Sequence, residues 1–306
     1  MTRVSFRALL IALSILLLAA CNSSDAPGNA AAAQTPEDTI RQIADLLKQG
    51  DIGAVMRVST PPAEYERMKA EWAEQKKNKA ITDEDRRKFA ETMEKLTAPD
   101  AEQTLWAEFE PKLAEYDVAE QQKKPMLLGM GRGWLQGMVA QSETLSDAEK
   151  QQAKAAIDAF ANWAETTRFT DPERVRQVIA IACRVARETG LKTLDEAHAM
   201  DFDQTMRMAQ IVFLGFKEAL AVYDFSLDAS LDSVKPEVVS QAGDKAQVRI
   251  SYDLLGTPLA FETGMERFDG RWYGEKVLED MRKHAAETAA DSGATQSSTA
   301  PAPATD

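Results

Sequence analysis

AQVRISYDL, residues 246–254, places Ala246, Val248, Ile250, Tyr252 and Leu254 on one side of an extended chain, and Gln247, Arg249, Ser251 and Asp253 on the other. Successive side chains of a strand point to opposite faces, so the alternation describes a strand with one buried and one wet face. That pattern belongs to antiparallel sheets covered on one side only. Just upstream, Phe225, Leu227, Ala229 and Leu231 alternate with Ser226, Asp228, Ser230 and Asp232 in the same way. Turn formers punctuate the region at Gly243-Asp244, Gly256-Thr257-Pro258 and Asp269-Gly270, the last a strong hairpin signal. A four-strand meander is therefore expected over residues 225–278.

Upstream of the meander the apolar period becomes that of a helix. Thr35-Pro36-Glu37-Asp38 supplies an N-cap, a first-turn proline and early acids, and Ile40, Ile43 and Leu47 follow on one face. Gly50 stops that helix, and a short one is expected over Ile52–Val58. Pro61-Pro62, Thr82-Asp83 and Pro99 open three more. The third turns Ala101, Leu105, Phe109 and Leu113 inward, and Pro111 is expected to kink or divide it. Ser146 and Glu149 form a capping box, and Asp171-Pro172 opens a helix that Gly190 ends. The last long helix, Phe202–Tyr223, is the most apolar and is expected at the centre. The fold class is α+β: a mainly helical body, 35–223, packed on a small C-terminal antiparallel sheet region, 224–280.

PMLLGMGRGWLQGMVA, residues 125–140, stands apart in composition. As a nucleotide loop it fails, because no strand precedes it and no Lys-Ser/Thr follows. On a helix, Gly129, Gly133 and Gly137 share one face, and three glycines cost about 2–3 kcal/mol of helix propensity that close packing must offset. The expectation is a tightly packed core helix with Arg132 reaching the surface. Insertion, dimerisation or a ligand border is the alternative.

The N-terminus carries an address. Arg3 and Arg7 precede an apolar run, Leu9–Ala19, that is too short to span a bilayer but suits an export signal. Leu18-Ala19-Ala20-Cys21 resembles the lipobox of bacterial lipoproteins. The resemblance implies cleavage after residue 20, lipid on the Cys21 sulfur, and acylation of the new amino group. Asn22, where an aspartate would direct retention in the inner membrane, implies the periplasmic face of the outer membrane. Residues 1–20 are thus the expected signal, 21–34 a flexible tether, and 281–306, ending in small and polar residues, a disordered tail.

TPEDTIRQIADLLKQGDIGAVMRVSTP (35–61) and FDGRWYGEKV (268–277) are similar to the opening and closing segments of cone-shaped, nuclear-transport-factor-like domains. The resemblance implies that helix, Gly-Asp break, second helix and closing hairpin form one unit. The stretch 60–223 between them is far longer than that fold contains.

Composition narrows function. Net charge is −13, and loss of Arg3 and Arg7 leaves 34 basic against 49 acidic residues, a net −15, which repels phosphate backbones. Of two cysteines, Cys21 is committed to lipid, so Cys183, in the apolar VIAIACRVA, is expected to be a small buried hydrophobe without a disulfide partner in the chain. His198 lies among Asp195, Glu196, Asp201 and Asp203, a set that could hold a hard cation but lacks EF-hand spacing and reads as a solvated helix junction. His284 is expected to be exposed, and no HExxH, Cys/His spacing or nucleophile elbow occurs. Glu262, Glu266 and Glu275 could line a concave sheet surface or form its wet face. No catalytic, cofactor-binding or metal residue is assigned, and Cys21 alone carries an assignable chemistry. The expected function is a membrane-anchored, non-catalytic periplasmic lipoprotein binding a protein or envelope component. The alternative is a small-ligand or lipid pocket between sheet and helices.

Overall fold

The computed structural model describes residues 35–143 and 145–296. Cys21, the expected signal and the expected tether lie outside the described residues. Helix α1, Pro36–Lys48, starts where Thr35 Oγ1 accepts the Asp38 N–H, and it buries Ile40, Ile43, Ala44 and Leu47. Gly50, at φ +73°, turns the chain into α2, Ile52–Ser59, capped by Asp51. Then follow α3 (Pro62–Asn78), α4 (Asp83–Thr97), α5 (Ala101–Gln141) and α6 (Asp147–Thr166). The last set comprises α7 (Pro172–Thr189), α8 (Leu194–Ala199), α9 (Phe202–Val222) and α10 (Leu227–Asp232). Capping boxes at Thr82/Asp85, Ser146/Glu149, Thr193/Glu196 and Asp201/Gln204 fix four of the helix starts.

The chain then forms the meander β1 (Lys235–Ala242), β2 (Lys245–Leu254), β3 (Thr257–Phe268) and β4 (Arg271–Gly274), all antiparallel in sequence order. Val248 pairs with Thr263, Ile250 with Phe261 and Tyr252 with Leu259. The predicted inner row is buried: Val248 and Ile250 are fully enclosed, and Ala246, Tyr252 and Leu254 nearly so. Helix α1 covers one part through Ile40, against Val248, Ile250, Met265 and Trp272. Helix α6 covers another through Ala156 and Ala159, against Tyr252, Leu254 and Leu259. Each buried Val, Ile or Leu there contributes about 1.5–3 kcal/mol. Helix α11, Glu275–Gln296, leaves β4 and packs along β3.

A second core holds the outer helices. Helix α7 packs on α4, α5 and α9, with Ala101, Leu105, Ile179 and Cys183 at its centre. Gly215 lets α9 approach Val185 of α7 so closely that a β-carbon there would stand 2.2 Å from Val185 Cγ2. Lys217, almost fully buried, pins α9 by donating to the Lys48 carbonyl and pairing with Asp228, both at 2.5 Å.

Several expectations are corrected. Residues 227–231 form helix α10 and not the first strand, so the sheet begins at Lys235. Positions four apart share a side in both periods, so Leu227 and Leu231 fit either, and the Ser226 cap on the Ala229 N–H decides for helix. Helix α5 is undivided across Pro111 and Pro125, held by Arg187 before them, by Phe169 and Thr170 between them and by Asp158 after them. Phe109 is 43% exposed rather than inward. Helix α9 is not wholly buried: Val212 and Phe216 are exposed. Residues 281–296, expected to lack structure, continue α11.

Candidate functional site: the outward face of helix α5

Helix α5 is 41 residues long, about 60 Å at 1.5 Å per residue. Its inner side is fastened along its length. Ala101, Leu105, Leu113 and Val139 are buried. Arg187 forks onto Glu102 at 2.6 and 3.0 Å and holds that carboxyl down at about 2. Arg176 stacks over Trp106, 4.1 Å from the ring centre.

In the middle, the α6–α7 connection is clamped to the helix. Glu120 accepts the Phe169 and Thr170 N–H groups at 3.1 Å each, and Lys124 donates to the Thr167 carbonyl at 2.6 Å. Burial pushes the Glu120 carboxyl up, but hydrogen bonds from Thr170, Lys124 and Phe169 outweigh it, and the net effect is downward. Asp117 is likewise lowered by Arg168, with Thr170 assisting. Towards the C-terminus, Asp158 of α6 takes Arg132 at 2.6 Å and Gln136 at 2.7 Å.

Beside these contacts lies the unusual feature. Phe109, Tyr116, Lys123 and Met130 recur every seven residues, and Leu127 and Trp134 are also seven apart. The first four form one row along the helix, at the period of a helix–helix seam, and Leu127 and Trp134 continue the adjoining row of Trp106, Leu113 and Glu120, whose first half is fastened inward. Phe109 is 43% exposed, Tyr116 47%, Leu127 58%, Met130 66% and Trp134 62%, with Met126 beside them at 59%. A β-carbon added at Gly129, Gly133 or Gly137 meets nothing within 4 Å. The glycine face read as a packed core face is therefore open, and the packed-core expectation for 125–140 is overturned. Sequence periodicity places the three glycines on one side but does not say which way that side points.

One further signal in the sequence marks the segment. Between Glu120 and Glu143 there is no acidic residue in 22 positions, although 49 of the 306 residues are acidic. The segment is apolar on both sides: Leu128, Leu135 and Val139 turn in, Met126, Leu127 and Met130 turn out. Large apolar side chains exposed together on a surface helix mark a candidate for contact with something else.

The other candidates are accounted for structurally. Asp195 pairs with Arg86 at 3.0 Å, Glu196 accepts the Lys192 and Thr193 N–H groups, and Asp201 caps α9. Asp203 lies 3.7 Å from Lys69, and His198 Nε2 is 3.0 Å from the Lys76 carbonyl, so the set does not converge. Among the described residues, no group of three or more potential ligands is placed to hold a metal ion. Glu262 pairs with Arg249 at 2.7 Å, Glu266 with Arg282 at 2.5 Å, and Glu275 with Lys245 at 2.8 Å, which makes them ion-paired surface carboxylates. Cys183 is fully buried and burial pushes its thiol up, while His284 is exposed on α11. Among the described residues, no helix is long and apolar enough to cross a membrane. No known protein family, curated protein or solved structure matches the chain.

Proposed function

We propose that this chain is a lipid-anchored, non-catalytic envelope protein that holds a protein or envelope component through the outward face of helix α5. The observation that carries the reading is the set of exposed apolar side chains from Phe109 to Trp134, on a helix fastened through Leu113, Glu120, Lys124 and Arg132. A rigid support for exposed Leu, Met and aromatic side chains is what a docking surface needs. Leu18-Ala19-Ala20-Cys21 supplies the anchor in this reading, on the periplasmic face of the outer membrane. The alternative, an enclosed small-ligand or lipid pocket between sheet and helices, has less support, because Ile40, Ala156 and Ala159 already pack on the sheet's inner face.

The test is in-cell photo-crosslinking from a reactive residue at position 130, with position 91 on exposed α4 as control. A discrete crosslinked product from 130 and none from 91 supports the reading. The same products from both positions, or none from 130, would refute it.

A further inference from the structure

We infer that the partner of the α5 face is the same face of a second copy of this chain, in antiparallel pairing about a twofold axis. This rests on the reading of α5 as a docking surface, but not on lipidation at Cys21.

Three features of the face point to a second copy. Its period is seven residues from Phe109 to Met130, the spacing that keeps two helices in contact when they wind gently around each other. Its two halves are complementary: Phe109 and Tyr116 project from one end, and Gly129, Gly133 and Gly137 leave open space at the other. Antiparallel pairing sets Phe109 of each copy into the hole between Met130, Gly133, Trp134 and Gly137 of the other. In that register Tyr116 meets Leu127, so each aromatic finds an apolar or open counterpart.

The two unlike halves select the orientation. A parallel pair would set Phe109 against Phe109 and glycine against glycine, leaving the open space beside Gly133 and Gly137 unfilled. A twofold pair repeats these contacts and closes on itself, leaving no unsatisfied copy of the face.

The area is sufficient. The exposed parts of Phe109, Tyr116, Met126, Leu127, Met130 and Trp134 amount to on the order of 700 Å² per copy, close to the roughly 800 Å² each partner contributes to a standard stable interface. A monomer's largest apolar patch is ordinarily about 300–600 Å².

The experiment is sedimentation equilibrium of a chain beginning at Asn22. All four apolar clusters are built from residues 40–272, so this chain keeps every packed core residue. It also lacks the lipid acceptor, so the result is independent of anchoring. The expected result is a monomer–dimer equilibrium with a dissociation constant on the order of 1 μM. Met130→Glu and Gly133→Glu should each weaken it by roughly tenfold or more. Met130 is 66% exposed and Gly133 has open space around it, so both variants should melt like the parent when dilute. Orientation is read by mixing Tyr116→Cys with Leu127→Cys chains. Antiparallel pairing gives mixed disulfide dimers in preference to dimers of either chain alone.

A monomer at all concentrations, or a dimer indifferent to both glutamates, overturns the inference. So does Met130-dependent binding of a monomeric chain to phospholipid vesicles, which assigns the face to a bilayer. A crosslink in cells from position 130 to a different protein, with the chain monomeric, would leave the docking reading standing and remove the second copy.

Discussion

Gly215→Ala tests how the outer helices are held. A β-carbon at this position stands 2.2 Å from Val185 Cγ2, 3.4 Å from Val185 Cβ and 3.6 Å from Val185 Cγ1. Carbon atoms pack best at about 3.5–4.0 Å, so α9 and α7 must separate by more than 1 Å, or the Val185 side chain must rotate. Rotation is unfavourable, since a valine in a helix has one strongly preferred rotamer. Overpacking of this kind costs about 1–3 kcal/mol. Alanine in place of a mid-helix glycine gains about 1 kcal/mol, which offsets part of it. A net loss of up to about 2 kcal/mol is expected, read as a lower urea midpoint at unchanged slope by far-ultraviolet circular dichroism. Val185→Ala removes the obstructing methyls, so the double variant should be more stable than the two single effects predict, by about 1–2 kcal/mol. A Gly215→Ala protein as stable as the parent, with no coupling to Val185, would refute the close approach.

Glu120→Gln should lower stability at neutral pH by about 1–3 kcal/mol, because two backbone N–H groups lose a charged acceptor. The folded carboxyl lies below its unfolded value of about 4.3, so its contribution is full above that pH and is lost as pH falls through the folded value. Urea titrations between neutral and acid pH should therefore show a shallower acid-side decline in the variant, and identical slopes would exclude the clamp. Cys183, fully enclosed and with its thiol pushed up by burial, should resist a thiol-reactive dye in the native protein and react on unfolding; rapid native labelling would contradict the core placement. Cys21→Ser should leave an uncleaved, non-lipidated precursor, and normal processing with membrane retention would exclude the anchor.

The sheet was legible because its signal is local: alternation in 246–254 and Asp-Gly at 269–270 survive whatever surrounds them. Helix starts were legible for the same reason, since a cap is made within four residues. The first strand was misplaced because Ser226 and Asp228 serve a polar strand face and a helix N-terminus equally well. The two segments resembling a cone-shaped domain, 35–61 and 268–277, do meet, through Ile40 and Trp272. The orientation of the glycine face was not legible, since only the positions of α6 and α7 fix which side of α5 turns outward. The acid-free run from 121 to 142 was the available clue to that face.

Docking through α5 requires that its outward face be covered where the protein works. A Met130→Cys chain provides the most direct measurement, with maleimide labelling compared between dilute purified protein and intact cell envelopes. Met130 is 66% exposed and Cys183 is fully buried, so labelling reports position 130. Rapid labelling in dilute solution and protection in the envelope is the predicted result. Equal labelling in both settings would mean that nothing docks there.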